Sequence, residues 1–171
     1  MHWPGLGPGG TLVLPLSDAV ARVVHAPSVT LDGVRFEAKP ELHVTLVGRA
    51  LGARLAMSIA AGRFTEADLA QRFDALDWSY APTDAWVWLR KTKEDGVVAE
   101  SVIELIDMPA MAVFHFALAR LLGDVLVTPP AHVTHFVRGD PEGIGVPDEA
   151  TLRALTVRLV ARDELSPQQN G

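Results

Sequence analysis

Leu42-His43-Val44-Thr45-Leu46-Val47 and, far downstream, Ala131-His132-Val133-Thr134-His135-Phe136-Val137 each set a histidine and a threonine two residues apart. Both are rich in β-branched and apolar residues, so both read as strands. On a strand the side chains at i and i+2 leave on the same side. His43 therefore shares a face with Thr45, and His132 with Thr134, while Val44, Leu46 and Val133 face the other way. If the two strands are neighbours, one cleft receives two imidazoles and two hydroxyls. Two imidazoles suffice to take a proton from a nucleophile and give another to a leaving oxygen without a metal. The hydroxyls are donors for an anion held between them.

Before the first of these strands, Val29 to Leu31 and Val34 to Phe36 flank Asp32-Gly33, a two-residue hairpin turn, and Thr11 to Leu16 reads as a further strand. Ser17-Asp18 ahead of Ala19 to Val24 predicts a short capped helix. A helix is expected from Leu51 to Ala61, closed by Gly62. Another runs from Glu66 to Leu76, with Thr65 as N-cap and Asp68 three positions on. Trp86 to Arg90 and Val97 to Ile106 form a hairpin about Glu94-Asp95-Gly96. Pro109 opens a helix that continues through Ala110 to Leu122 and stops at Gly123. Thr151 to Val160 reads as helix or strand, with Thr156 to Val160 favouring strand. The pattern predicts an α+β fold with two pseudo-symmetric lobes of antiparallel sheet, helices on the outer faces and a central cleft.

The chain has 171 residues, 49% of them hydrophobic and 21% charged, as expected for a single globular domain, with loose ends over about 1–10 and 166–171. No apolar run approaches the roughly eighteen residues of a membrane span, and no basic n-region precedes an apolar stretch. The expectation is a soluble cytoplasmic protein without a membrane partner. With no cysteine, neither disulfides nor thiolate-held zinc are available. Fifteen Lys and Arg against 21 Asp and Glu give a net charge of −6, which disfavours gripping long nucleic acid by counterion release. A local pocket for one or two phosphates remains compatible with that charge. Gly5-Leu6-Gly7-Pro8-Gly9-Gly10 follows no strand and is interrupted by Pro8, so it does not read as a dinucleotide-binding loop.

The duplicated His-x-Thr on strands, in a chain of this length, resembles the two-histidine phosphoesterase superfamily, which includes the bacterial RNA 2′,3′-cyclic phosphodiesterases also called 2′-5′ RNA ligases. Glu41 to Leu46 looks like the family's first motif. Val102-Ile103-Glu104-Leu105 and the helix from Pro109 look like the elements before its second. In architecture the resemblance spans roughly residues 10 to 162. It implies a metal-independent cyclic phosphodiesterase, with possible 2′-5′ ligase activity, acting on a small nucleotide or an RNA terminus. His43 and His132 would be acid and base, Thr45 and Thr134 would hold the nonbridging oxygens, and no cofactor is implied. One departure is His135, where the family has an apolar residue; it should point away from His132, toward the helix-covered side.

Arg49 and Arg138 continue the alternation of His43 and His132 and are candidates for a substrate phosphate, or else solvated strand ends. Phe136 falls on the cleft side of its strand as a candidate base-stacking residue. Trp86 and Trp88 share a face and read as core aromatics before they read as stacking platforms. His115, among Phe114, Phe116 and Leu118, reads as structural, and His2 and His25 receive no role. Two alternatives stand beside the enzyme. A zinc site on His132, His135 and His115 is disfavoured because His132 and His135 diverge on a strand and no carboxylate accompanies them. A non-catalytic member that keeps the cleft to bind a nucleotide or protein is the other.

Overall fold

Among the described residues, β-branched and apolar runs become eight strands: β1 (Leu12–Pro15), β2 (Ser28–Leu31), β3 (Val34–Ala38), β4 (His43–Val47), β5 (Ala81–Thr92), β6 (Val98–Asp107), β7 (His132–Arg138) and β8 (Thr156–Val160). Four α-helices accompany them among the described residues: α1 (Arg49–Ala60), α2 (Glu66–Asp74), α3 (Pro109–Leu122) and α4 (Glu149–Leu155). The computed structural model describes residues 2–17, 21, 22, 24 and 26–165. Of the short helix expected over Ala19 to Val24, residues 19, 20 and 23 lie outside them, as does the whole of the loose end expected over 166–171. The class is α+β, as the sequence predicts.

Local chemistry explains the element ends. Asp32 and Gly33 both take positive φ, 49° and 79°, the geometry a two-residue turn needs to follow the twist of its strands. Thr65 and Asp68 exchange hydrogen bonds in a capping box at the start of α2. Pro109 opens α3, and Gly123, left-handed at φ 64°, ends it. The ambiguous stretch from Thr151 is both things in turn. Asp148 caps α4 by accepting from the Thr151 N–H at 2.6 Å, and at Thr156 the backbone turns extended into β8.

All strands belong to one sheet with the order β1-β4-β7-β6-β5-β8, every pairing antiparallel, and the β2–β3 hairpin enters beside β7. One face of β1, β4 and β7 is covered by α1, α2 and α3. There Leu14, Val44, Leu46 and Val133 pack with Leu55, Phe73, Phe114 and Leu118. Farther along that same face the β2–β3 hairpin replaces the helices, and Phe36 packs with Trp86, Trp88, Val102 and Phe136. On the opposite face, α4 and the segment 139–148 cover the β5–β6 part through Val87, Leu89, Ile103, Ile144 and Leu152, and Gly143 reaches the near edge of β7 at Thr134 and Val137. The β4–β7 part of that face is left to polar residues. No described helix is long and apolar enough to cross a membrane.

Residues 2–10 are not the loose arm expected from their glycines and prolines. The Trp3 backbone N–H donates to Asp74 Oδ1 at 2.7 Å, its indole N–H donates to Glu66 Oε1 at 3.1 Å, and its ring meets Phe73 edge-on. Gly10 lies so close to α1 that a Cβ on Gly52 would stand 2.2 Å from the Gly10 carbonyl oxygen. One aromatic anchor and a glycine–glycine contact outweigh the flexibility of the segment.

Trp86 and Trp88 are core residues, 1% and 2% exposed. The Trp88 indole N–H donates to Glu100, a fully buried carboxylate that also accepts from Arg90 at 2.8 Å and from Arg138. Burial alone would push the Glu100 carboxyl up, yet the hydrogen bonds from Arg90 and Arg138 hold it below its ordinary 4.5. Its contribution to stability is therefore present above pH 4.5 and is lost as pH falls through the lowered value in the fold. Glu100→Ala is expected to destabilise the protein by about 1.5–3 kcal/mol at neutral pH, the range for bonds to a charged group. Urea midpoints for the two proteins would measure it, and equal midpoints would contradict it.

Candidate active site

Val44 pairs with Val133 across the antiparallel junction of β4 and β7. In that register Thr134 lies opposite His43 and His132 lies opposite Thr45, because antiparallel neighbours count in opposite directions. Directly opposed residues share a face, so the four polar side chains form a checkerboard on one side of the sheet. They are partly exposed, whereas Val44, Leu46 and Val133 between them are buried against the helices. The structure thus brings together all four residues that the sequence singles out.

The imidazoles are held differently. His132 Nδ1 lies 2.8 Å from the Pro130 carbonyl oxygen. A carbonyl only accepts, so Nδ1 carries the proton and Nε2 is the nitrogen left for a ligand. Burial pushes His132 below its ordinary 6.5, the Pro130 carbonyl opposes this, and positive charge on His43 lowers it further. Burial also lowers His43, and the Lys39 ammonium acts in the same direction, while the Glu142 and Glu41 carboxylates oppose it. The register at Val44 and Val133 sets the two imidazoles diagonally across the strand pair on one face.

The sheet around β7 has an irregularity that rearranges the rest of the candidate list. Along β6, Val102 pairs with Phe136 but the next residue, Ile103, pairs with Thr134, so His135 is an extra residue in β7. Such a bulge reverses the alternation beyond it. His132 and Thr134 stay on the site face, but Phe136 and Arg138 turn to the other side. Phe136, expected on the cleft side, is fully buried with Phe36, Trp88 and Val102. Arg138, expected to continue from His132, is tied to Glu100 behind the sheet. Arg49 does not continue the alternation of His43 either: β4 ends at Val47 and Arg49 is the first residue of α1, exposed.

His135 does point away from His132, as the sequence predicts. It is fully buried, with Nε2 3.3 Å from Glu104 Oε2 and its ring 4.6 Å from that of Trp86. The Glu104 contact is close enough for an ion pair but is not aligned as a hydrogen bond. His115 is structural: buried, its Nε2 donates to the Leu46 carbonyl at 2.8 Å, which ties α3 to β4. His132, His135 and His115 therefore point into three different surroundings and do not converge as a zinc ligand set. Among the described residues no cluster of three or more His, Asp or Glu has the geometry to hold a metal.

Lys39, Pro141, Glu142 and Gly143 lie beside the site and are not evident from the sequence. β3 and β4 both flank β7, and the chain between them carries Lys39, whose backbone N–H donates to the His135 carbonyl at the bulge. The buried Lys39 ammonium donates to the carbonyls of Pro141 and Glu142, at 2.9 and 3.1 Å. This strut draws Gly143 over the site, where a Cβ would lie 3.3 Å from the Thr134 methyl carbon. The Gly- and Pro-rich composition of 139–147 signals a loop, but not its destination. No family model, no curated protein and no solved structure matches this chain.

Proposed function

We propose that the protein is a metal-independent phosphodiesterase that opens a 2′,3′-cyclic phosphate on a small nucleotide or an RNA terminus. The observation that supports this reading is the cross-strand checkerboard of His43, Thr45, His132 and Thr134 on one face. A phosphoryl group between the strands meets an imidazole and a hydroxyl from each. The neutral imidazole takes a proton from water as the water oxygen bonds to phosphorus. The protonated imidazole gives its proton to the departing ribose oxygen, leaving a phosphomonoester and a free hydroxyl. Thr45 and Thr134 donate to the nonbridging oxygens, whose charge grows in the transition state. A ribose hydroxyl in place of water gives transfer, the 2′-5′ ligase direction. The two-lobed symmetry typical of such enzymes belongs to this same reading.

The test is turnover of nucleoside 2′,3′-cyclic phosphates in EDTA, with the monoester identified by chromatography. Product formation supports the reading. Binding without product in calorimetry selects the non-catalytic alternative.

A pH dependence follows from the site. One imidazole must be neutral and the other protonated, so kcat/KM is a bell between the two apparent pKa values of the coupled pair. Both histidines are pushed below 6.5, so the optimum for kcat/KM is expected below pH 6.5. Bound substrate is anionic and favours imidazolium, so the kcat profile should lie at higher pH than the kcat/KM profile. Steady-state rates from pH 4.5 to 8.5 would read this; a kcat/KM optimum above pH 7 would contradict it.

A further inference from the structure

Thr134 is oriented by its methyl group rather than by a hydrogen bond. Among the described residues its hydroxyl bonds to nothing, and it is not one of the buried unpartnered atoms, so it is left for a ligand. The methyl carbon, in contrast, meets the backbone of Gly143, where a Cβ would stand 3.3 Å from it. Methyl and hydroxyl share one Cβ, so what fixes the first sets the direction of the second, and a β-branched side chain has few other staggered positions to take.

Gly143 is held from both sides. Before it, the Lys39 ammonium donates to the carbonyls of Pro141 and Glu142, at 2.9 and 3.1 Å; after it, the Ile144 N–H donates to Ser101 Oγ at 3.1 Å. Lys39 also grips the strand that carries Thr134, since its backbone N–H donates to the His135 carbonyl at 2.8 Å. One residue therefore ties down both partners of the Gly143–Thr134 contact. Its ammonium is buried, yet it forms no ion pair with a described carboxylate, and Asp140 pairs with Lys93 instead. Burying a cation against neutral carbonyls costs stability, and what the fold gains there is a fixed loop.

We propose that Lys39 is a positioning residue, which clamps residues 141–143 onto the Thr134 methyl and so points the Thr134 hydroxyl at a nonbridging oxygen of the substrate. The inference rests on the phosphodiesterase reading and adds to it a residue that acts only through Thr134. Lys39→Met keeps an unbranched chain of similar length and loses the donors. The two freed carbonyls belong to exposed residues, which water can satisfy, so the fold should survive while the clamp is lost.

The experiment is a double-mutant cycle on kcat for cytidine 2′,3′-cyclic phosphate. Thr134→Val, which keeps a packing methyl and removes the hydroxyl, is expected to lower kcat by about 10²-fold, the loss typical of one donor to a developing charge. Lys39→Met should lower kcat by about tenfold with KM little changed, because the hydroxyl is misdirected rather than missing. In the Thr134→Val background the same change should alter kcat by less than about twofold, since no hydroxyl is left to aim. Gly143→Ala, whose Cβ would press on the same methyl, should repeat this pattern and serves if Lys39→Met does not fold. No loss from Lys39→Met, or a loss undiminished in the Thr134→Val background, overturns the inference and leaves the phosphodiesterase reading standing. If the wild type does not turn over the cyclic nucleotide, that reading fails, and the same cycle on the Kd for cytidine 2′-monophosphate, measured by calorimetry, decides the inference separately. Coupled losses of affinity sustain it; additive losses, equal affinities or no binding overturn it.

Discussion

His43→Ala and His132→Ala are each expected to lower turnover of a nucleoside 2′,3′-cyclic phosphate by about 10²–10⁴-fold, the usual contribution of a positioned acid or base. Thermal melting should change little, because neither residue is fully buried and neither belongs to a hydrophobic core cluster. His132→Ala also loses the bond to Pro130, an ordinary hydrogen bond worth about 1 kcal/mol. The double variant should be scarcely slower than either single one, since acid and base act as a unit in one displacement. Single-turnover rates and melting curves on the three proteins would check all of this. Near-normal turnover in either single variant would remove that histidine from the chemistry.

Phe136→Ala is the second large effect, and it falls on stability. Phe136 is fully buried among Phe36, Trp88 and Val102, so truncation is expected to cost about 3–5 kcal/mol through lost burial and the cavity left behind. Phe136→Leu should recover much of that loss and keep the KM for a cyclic nucleotide near the wild-type value, because the side chain lies behind the sheet. Chemical denaturation and steady-state kinetics on the pair of variants separate the two roles. A Phe136→Leu protein that stays stable while its KM rises steeply would return Phe136 to the cleft and deny the bulge at His135.

That bulge also marks where the sequence stops being legible. Period-two alternation is a local rule, so it assigns His43, Thr45, His132 and Thr134 correctly from short windows. The turn at Asp32-Gly33, the capping box at Thr65 and the ends of α3 at Pro109 and Gly123 are local too, and each lies where the residues predict. Carried through an extra residue, the same rule misplaces Phe136 and Arg138. The string holds only a partial clue: Phe136 and Val137 are adjacent apolar residues where strict alternation expects one to be polar, and the extra residue at His135 seats Phe136 in the core while His135 itself stays buried. The remaining differences are nonlocal. Nothing near Lys39 announces the carbonyls of Pro141 and Glu142, and nothing near Trp3 announces Asp74 and Glu66. Arg49 is misplaced for a simpler reason, since the strand gives way to α1 before reaching it.

The proposed chemistry requires His43 and His132 to meet one ligand while His115 and His135 do not. Imidazole ¹⁵N NMR during titration with cytidine 2′-monophosphate observes all four in one experiment. The predicted result is that His43 and His132 shift together along one saturation curve and hold their protons to higher pH, while His115 and His135 stay still. A response from only one of the pair, or from His135 in place of His132, would contradict the shared site.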